Sequence, residues 1–417
     1  MVTLENGLTL LVKRRSDVPV LSIQARVDAG QLHEPEEKAG LAELTGDLLD
    51  EGSEDDRGSR RTGDQIAAEI EFVGGRYSTS ANGAAVKVLS EHASLAFDLL
   101  RDVLRYPSFP QERFEKSRED MLAEIQSLDD DPAQVARRLF YEEAYRGHPY
   151  HRPSIGYART VKNLTRDDVQ AHYKRFFRPE NTIIAVAGDI DPSRAVKEIR
   201  SRFGTWKGEG KWVAPAPDRA VRQTEPRAVS STFKAQQVRI HLGHVGIERT
   251  DPDYHALRVM ETILCSSPGF TNRLARRVRE VEGLAYDVSG TITIGAGAAA
   301  GPFQIVLGVE AKDKDKALRL VIDEVRKFVE EGPTLEEVED AKGYLMASFV
   351  SSWETMDDLA SYLLEVSRYG LGIDYSERYH GAVAGVTCEE VLRVVRKHLD
   401  PAALTVVVVG PADKEGK

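Results

Sequence analysis

Hydrophobic and polar positions follow two periods along this chain. Short apolar runs of strand character fall at Thr9–Val12, Val20–Val27, Ile183–Ala187, Val238–Leu242, Gln304–Val309 and Leu404–Val409. Apolar residues spaced three and four apart predict helices over 37–51, 64–73, 93–105, 111–128 and 133–145. Strands come first and long helices later. The expected class is therefore α+β, a mostly antiparallel sheet with helices on one face.

The pattern then repeats. Residues 164–191 (LTRDDVQAHYKRFFRPENTIIAVAGDID) correspond to 386–413 (VTCEEVLRVVRKHLDPAALTVVVVGPAD) at a constant offset of 222. Thr165 matches Thr387, Val169 matches Val391, Pro179 matches Pro401, Gly188 matches Gly410 and Asp191 matches Asp413. Each copy reads as a Thr N-cap, an amphipathic helix, a Pro-containing turn and an apolar strand stopped by glycine. A period this long excludes a solenoid, whose repeats run to about 20–50 residues. Between the copies, residues 207–227 hold three Pro and two Gly without periodicity, as a linker does. The expected organisation is two tandem homologous units, 1–206 and 228–417, joined by 207–227.

Composition narrows the function. The 417 residues are 41% hydrophobic and 29% charged, which excludes disorder as the overall class. Acidic residues outnumber basic ones by 67 to 56, giving a net charge of −11. Nucleic acid and anionic membrane are poor partners for such a chain, whereas a peptide is electrostatically permitted. Cys265 and Cys388 form no metal or redox motif and read as two reduced thiols. No apolar run approaches the roughly 18–20 residues of a membrane span. Met1 leads at once into Leu4-Glu-Asn-Gly-Leu8, which is no signal peptide. The default location is cytoplasmic; removal of an earlier signal would make it periplasmic.

The candidate chemistry lies in Gly40–Glu54, GLAELTGDLLDEGSE. Leu41, Leu44 and Leu48 share one helical face, and Glu43 and Asp47 project from another, one turn apart. Taken alone, this is an ordinary solvated acidic face. Its surroundings are more specific. Asn6-Gly7-Leu8, Ala29-Gly30, Glu34-Pro35 and Gly40-Leu41-Ala42 are followed by Gly74-Gly75, Pro110-x-x-Arg113-Phe114 and Ala123-Glu124-Ile125. His148-Pro149-Tyr150, Gly156, Leu164-Thr165 and the run VREVEGLAY ending at Tyr286 complete the order. This ordered set resembles the insulinase/pitrilysin metallopeptidase family across nearly the whole chain. The resemblance implies two α+β units forming half of a clamshell-like chamber.

In that family the helix carries H-x-x-E-H, the inverted zincin motif. Here the first histidine position falls on Glu43, the general-base glutamate on Gly46 and the second histidine on Asp47. The third ligand position falls on Glu124, a glutamate as in the family. Catalytic zinc favours imidazole nitrogen with at most one carboxylate, and three carboxylates suit harder ions such as Mg²⁺ or Ca²⁺. Gly46 accepts no proton, and a positioned base is worth on the order of 10²–10⁴ in rate. The four positions read as vestigial, so no metal or cofactor is expected in this chain. Of the other histidines, His241 and His244 fall on opposite faces of a strand, and His148 and His151 flank Pro149 in a loop. His33 remains the one stray candidate ligand.

Arg273, Arg276, Arg277 and Arg279 lie on a helix expected to end near Gly283, with a strand from Leu284. Without further context this is a basic solvated helix followed by a packed tyrosine. The resemblance implies instead that Arg279 and Tyr286 are the family's substrate-binding pair, Tyr286 donating to the developing oxyanion. Some bacterial members work as two unlike chains, one with H-x-x-E-H and one with this pair. The expected function is thus a non-catalytic, substrate-binding subunit of a heteromeric zinc peptidase. Zinc is expected in a homologous partner subunit, a peptide as substrate, and a dimer of unlike rather than like chains. A structural scaffold and a homo-oligomeric hydrolase built on a carboxylate metal site are the alternatives.

Overall fold

A computed structural model describes residues 1–216, 218–267 and 272–412; Asp413, the last matched position of the repeat, lies outside them. The chain forms two compact units. Unit 1 comprises Met1–Gln126, Pro153–Ala216 and Val350–Ile373, and unit 2 comprises Ser127–Arg152, Pro217–Phe349 and Asp374–Lys417.

Unit 1 holds β1 (Val2–Thr3), β2 (Thr9–Arg14), β3 (Val20–Val27), the small ribbon of β4 (Gly52–Glu54) and β5 (Arg60–Thr62), then β6 (Arg76–Ser80), β7 (Gly83–Leu89) and β8 (Thr182–Gly188). Its main sheet runs β1-β2-β8-β3-β7-β6. Unit 2 holds β9 (Arg227–Thr232), β10 (Gln237–Val245), β11 (Ala285–Thr291), β12 (Pro302–Glu310) and β13 (Thr405–Gly410). From its β9 edge the sheet runs β9-β13-β10-β12-β11, the same path as β2-β8-β3-β7-β6. In both sheets the outer pair, β2 with β8 or β9 with β13, is parallel, and the other pairs named in these two paths are antiparallel. The duplication read from sequence is therefore a duplication of topology. Thr165 and Thr387 cap matching helices, each hydroxyl accepting from a backbone N–H three residues on at 3.2 Å.

Alternation along each strand sorts side chains to two faces. In β8, Ile184 and Val186 join Leu21, Ile23, Phe97, Leu100 and Leu104 in the main core of unit 1. Ala185 and Ala187 point the other way and meet Leu359 and Ala360 of the helix Met356–Arg368. In unit 2, Val407 and Val409 meet Val135, Ala136 and Phe140 of the helix Pro132–Ala144. The main helical layer thus lies on one face of each sheet. The second face is covered by a single helix from the other half of the chain.

Two local expectations are corrected. The helix expected over 37–51 is confined to Leu41–Asp47. Gly40 precedes it at φ +98°, a left-handed conformation that interrupts helix propagation, and a Cβ there would lie 2.6 Å from the Ile155 carbonyl oxygen. The basic helix before Gly283 is a π-type segment, Ala275–Val281, and the strand after it starts at Ala285 rather than Leu284.

Phe140 is fully buried between its helix and β13 in the unit 2 cluster. Phe140→Ala is expected to destabilise the protein by about 3–5 kcal/mol. Denaturant unfolding measures this, and a loss below about 1 kcal/mol would contradict the packing described.

Candidate functional site

The helix Leu41–Asp47 is fixed at its start by a buried acid. The Glu34 carboxylate accepts from the backbone N–H groups of Gly40, at 3.3 Å, and Ala42. This satisfies donors that a helix start leaves unpaired and places negative charge at the positive end of the dipole. Leu41, Leu44 and Leu48 enter the unit 1 core, which leaves Glu43 half-buried and Asp47 exposed.

Glu124, from the helix Gln111–Asp129, comes near enough to act on both. Withdrawal from water, then the Glu124 charge, raises the Glu43 carboxyl above its ordinary range. Withdrawal from water, then Glu43, Glu124, Asp50 and Glu51, pushes Asp47 up to about 7. Asp47 retains exposed surface, so solvent screening tempers the effect without reversing its direction. Glu43, Asp47 and Glu124 are therefore brought into one electrostatic neighbourhood, with Asp50 and Glu51 beside it.

Zinc does not suit these positions. The donor set contains no imidazole, and its accumulated negative charge opposes acidification of a bound water. At Gly46, the general-base position, the packing is also closed. A Cβ at 46 would lie 2.2 Å from the Ala81 nitrogen and 2.3 Å from the Ser80 carbonyl carbon. The tip of the β6–β7 hairpin thus occupies the space in which a glutamate side chain would have to begin.

Among the described residues, one group of ligand-type atoms converges within 4.8 Å, and it lies elsewhere: Asp251, Asp253 and His398. The Asp253 carboxylate already accepts from Arg393 at 2.8 Å, Lys397 at 2.7 Å and His398 at 2.8 Å. These partners hold it far below the usual carboxylate range. A carboxylate so compensated is an ion-pair staple and a poor metal ligand.

The other histidines singled out from the sequence are held by packing or hydrogen bonds. His33 stacks on Phe176 with centroids 5.2 Å apart, and burial lowers its pKa. His241 accepts from the Gln304 amide at 2.6 Å, and His244 donates to the Val245 carbonyl at 2.8 Å. Burial pushes both down to about 4. His148 donates to the Asp218 carbonyl at 2.9 Å, and His151 to the His148 carbonyl at 2.7 Å.

Arg279 and Tyr286 sit on a tight reversal in unit 2. Arg279 is half-buried in the segment Ala275–Val281. The chain turns at Gly283, φ +63°, whose N–H donates to the Arg279 carbonyl at 3.1 Å. In β11, Ala285 pairs with Val309 and Asp287 with Gly308, so Tyr286 is the extra residue of a β-bulge. Bulges re-aim a side chain, and Tyr286 is 76% exposed on an edge strand.

The far end of β11 is pinned by Glu261, a residue the sequence reading passed over. Its buried carboxylate accepts from the Thr291 hydroxyl at 2.9 Å, from the Ile292 and Thr293 N–H groups at 2.7 Å and from the Thr293 hydroxyl at 2.8 Å. The partners lie 30 to 32 residues away, so no local pattern marks them.

The comparisons with known proteins agree with this duplicated fold. Residues 11–157 match the family model described as Insulinase (Peptidase family M16), and residues 163–345 match the one described as Peptidase M16 inactive domain. An uncharacterized zinc protease of Mycobacterium leprae is 30% identical over 322 residues, covering 74% of this chain and 71% of that protein. A non-peptidase homolog of Helicobacter pylori is 22% identical over 379 residues, covering 90% and 85%. The solved peptidase M16 inactive domain from Pseudomonas fluorescens superposes with a TM-score of 0.91 at 26% identity, covering 100% of this chain and 99% of that one. By class, residues 163–345 form an inactive-type M16 domain. The chain belongs to the insulinase family of peptidases, M16.

Two outcomes follow for the altered helix. Gly46→Ala is expected to cost about 1–3 kcal/mol through backbone displacement at Ser80 and Ala81, read by denaturant unfolding; an unchanged midpoint would contradict the contact. Asp47 binds its proton more tightly folded than unfolded, so its contribution favours the fold at low pH. That contribution is lost as pH rises from the ordinary carboxyl range towards 7. Asp47→Asn should flatten this part of the stability profile and raise the thermal midpoint at pH about 8 relative to the parent; parallel profiles would contradict it.

Proposed function

We propose that this chain is the non-catalytic, substrate-binding subunit of a two-chain zinc peptidase. One observation carries the reading: the metal-motif helix has Gly46 pressed against a hairpin, while Tyr286 stands exposed on a bulge next to a turn bearing Arg279. In this reading, zinc and the general base belong to a homologous partner subunit carrying H-x-x-E-H. Arg279 holds the extended peptide through its backbone carbonyls. The Tyr286 hydroxyl donates to the scissile carbonyl oxygen as negative charge develops there. A phenol O–H is a suitable donor, and a neighbouring guanidinium favours the same charge.

A purely architectural role would leave no task for an exposed tyrosine on an edge bulge, and such a role needs neither residue of the pair. Scaffold and substrate-binding subunit differ in one observable, which is peptide bound by the assembled protein.

The test uses the purified chain, a zinc-bearing homologue from the same source and an unstructured peptide. The chain alone is expected to be inert and the mixture to cleave. Tyr286→Phe should lower turnover of the mixture by about 10²–10³ with assembly unchanged. Chelator-sensitive cleavage by the chain alone, or full turnover with Tyr286→Phe, would overturn the assignment.

A further inference from the structure

The two units cover matching sheet faces with different chemistry. In unit 2 the covering helix Pro132–Ala144 buries Val135, Ala136, Phe140 and Ala144 against Val407, Val409 and Val245. Tyr145, just after it, is also buried, and its hydroxyl donates to the Ala300 carbonyl at 3.0 Å. Burial on this scale holds a helix as part of the core.

In unit 1 the equivalent positions of β8 are alanines, Ala185 for Val407 and Ala187 for Val409, at the same offset of 222. The buried apolar contact shrinks to Ala185, Ala187, Leu359 and Ala360. Trp353, Leu363 and Leu364, partly buried, pack against this small cluster, and polar contacts hold its rim. Gln24 donates to the Asp357 carbonyl at 3.0 Å and accepts from the Ser361 hydroxyl at 2.9 Å. Arg15 donates to the Trp353 and Glu354 carbonyls at 2.8 and 2.9 Å. Lys87 pairs with Asp357 at 2.8 Å, and Arg368 with Asp28 at 2.6 Å.

Three of these four charges meet solvent: Lys87 is 36%, Asp357 43% and Asp28 44% exposed, while Arg368 is 19% exposed. Exposed pairs of this kind are weak and are screened by salt. Ser22, opposite Ala187 in the register, adds a buried hydroxyl with no hydrogen-bond partner. Water would satisfy it once the helix lifts. Gly370 and Gly372, at φ +60° and +87°, follow the helix and supply a pivot.

We propose that Val350–Ile373 is a releasable strap on unit 1, held by a polar clasp and detached by local opening, whereas Ser127–Arg152 is a permanent part of unit 2. Lifting the strap bares Ser22, Gln24, Ala185 and Ala187 with Leu11 as the one large apolar side chain among them, a face small enough to stay soluble. The main core of unit 1, on the other side of the sheet, stays intact while the strap is open.

Amide hydrogen exchange of the full chain, read by mass spectrometry at about 0.1 and 1 M NaCl, tests this directly. Amides of 356–368 are expected to exchange at least about tenfold faster than those of 132–144, which a difference of about 1.4 kcal/mol in opening would produce. High salt should raise the first rate about threefold or more and leave the second unchanged. Asp357→Asn, which removes the Lys87 pair, should reproduce part of the salt effect at low salt. Equal protection of the two helices, or salt-insensitive exchange in 356–368, overturns the proposal.

Discussion

The contact between Gly46 and the tip of the β6–β7 hairpin governs the character of unit 1. Helix and hairpin approach until the Ala81 nitrogen lies 2.2 Å from where a Cβ would be built, and glycine alone tolerates that distance. With Glu34 fixing the start of the helix and three leucines fixing its inner face, the outward positions 43 and 47 are determined. They are filled by acids whose pKa values are raised by withdrawal from water and by Glu124, and at Asp47 by Glu43 as well. Loss of the metal motif is therefore a matter of packing as well as of ligands. Restoring two histidines and a glutamate would also require the hairpin to move.

The duplicated unit makes the corresponding junction differently. At the end of β11 in unit 2, the Ile292 and Thr293 N–H groups meet the Glu261 carboxylate instead of a glycine. A carboxylate bridge satisfies the backbone donors and holds the strand that bears Tyr286. The two sheets share one strand order and one parallel pair, yet differ at the residues that set function. Alanine against valine on the outer face, and glycine against glutamate at the helix–strand junction, distinguish units of the same topology.

Much of this was legible in the sequence. The offset of 222 between Thr165 and Thr387 marked matching helix caps, and alternation placed β3, β8, β10, β12 and β13 to within a few residues. Glu124, distant in sequence from Glu43 and Asp47, was grouped with them by resemblance to the insulinase family, and its charge does reach both. The assembly of the units was not legible. Helices 132–144 and 356–368 look like any amphipathic segment, and periodicity does not say which sheet receives an apolar stripe. The short extent of the helix at 41–47 was hidden because a positive φ at Gly40 is set by contact with Ile155, far along the chain. The bulge at Tyr286 is a register property of two strands, and one strand alone does not reveal it.

On the proposed reading, the carboxylate-lined helix of this chain holds no zinc and the catalytic metal belongs to a partner subunit. Elemental analysis of the purified, tag-free chain after dialysis against trace zinc addresses it most directly. A zinc content near zero per chain, unchanged by Glu43→Gln or Asp47→Asn, is expected. About one zinc per chain, lost in either variant, would contradict it.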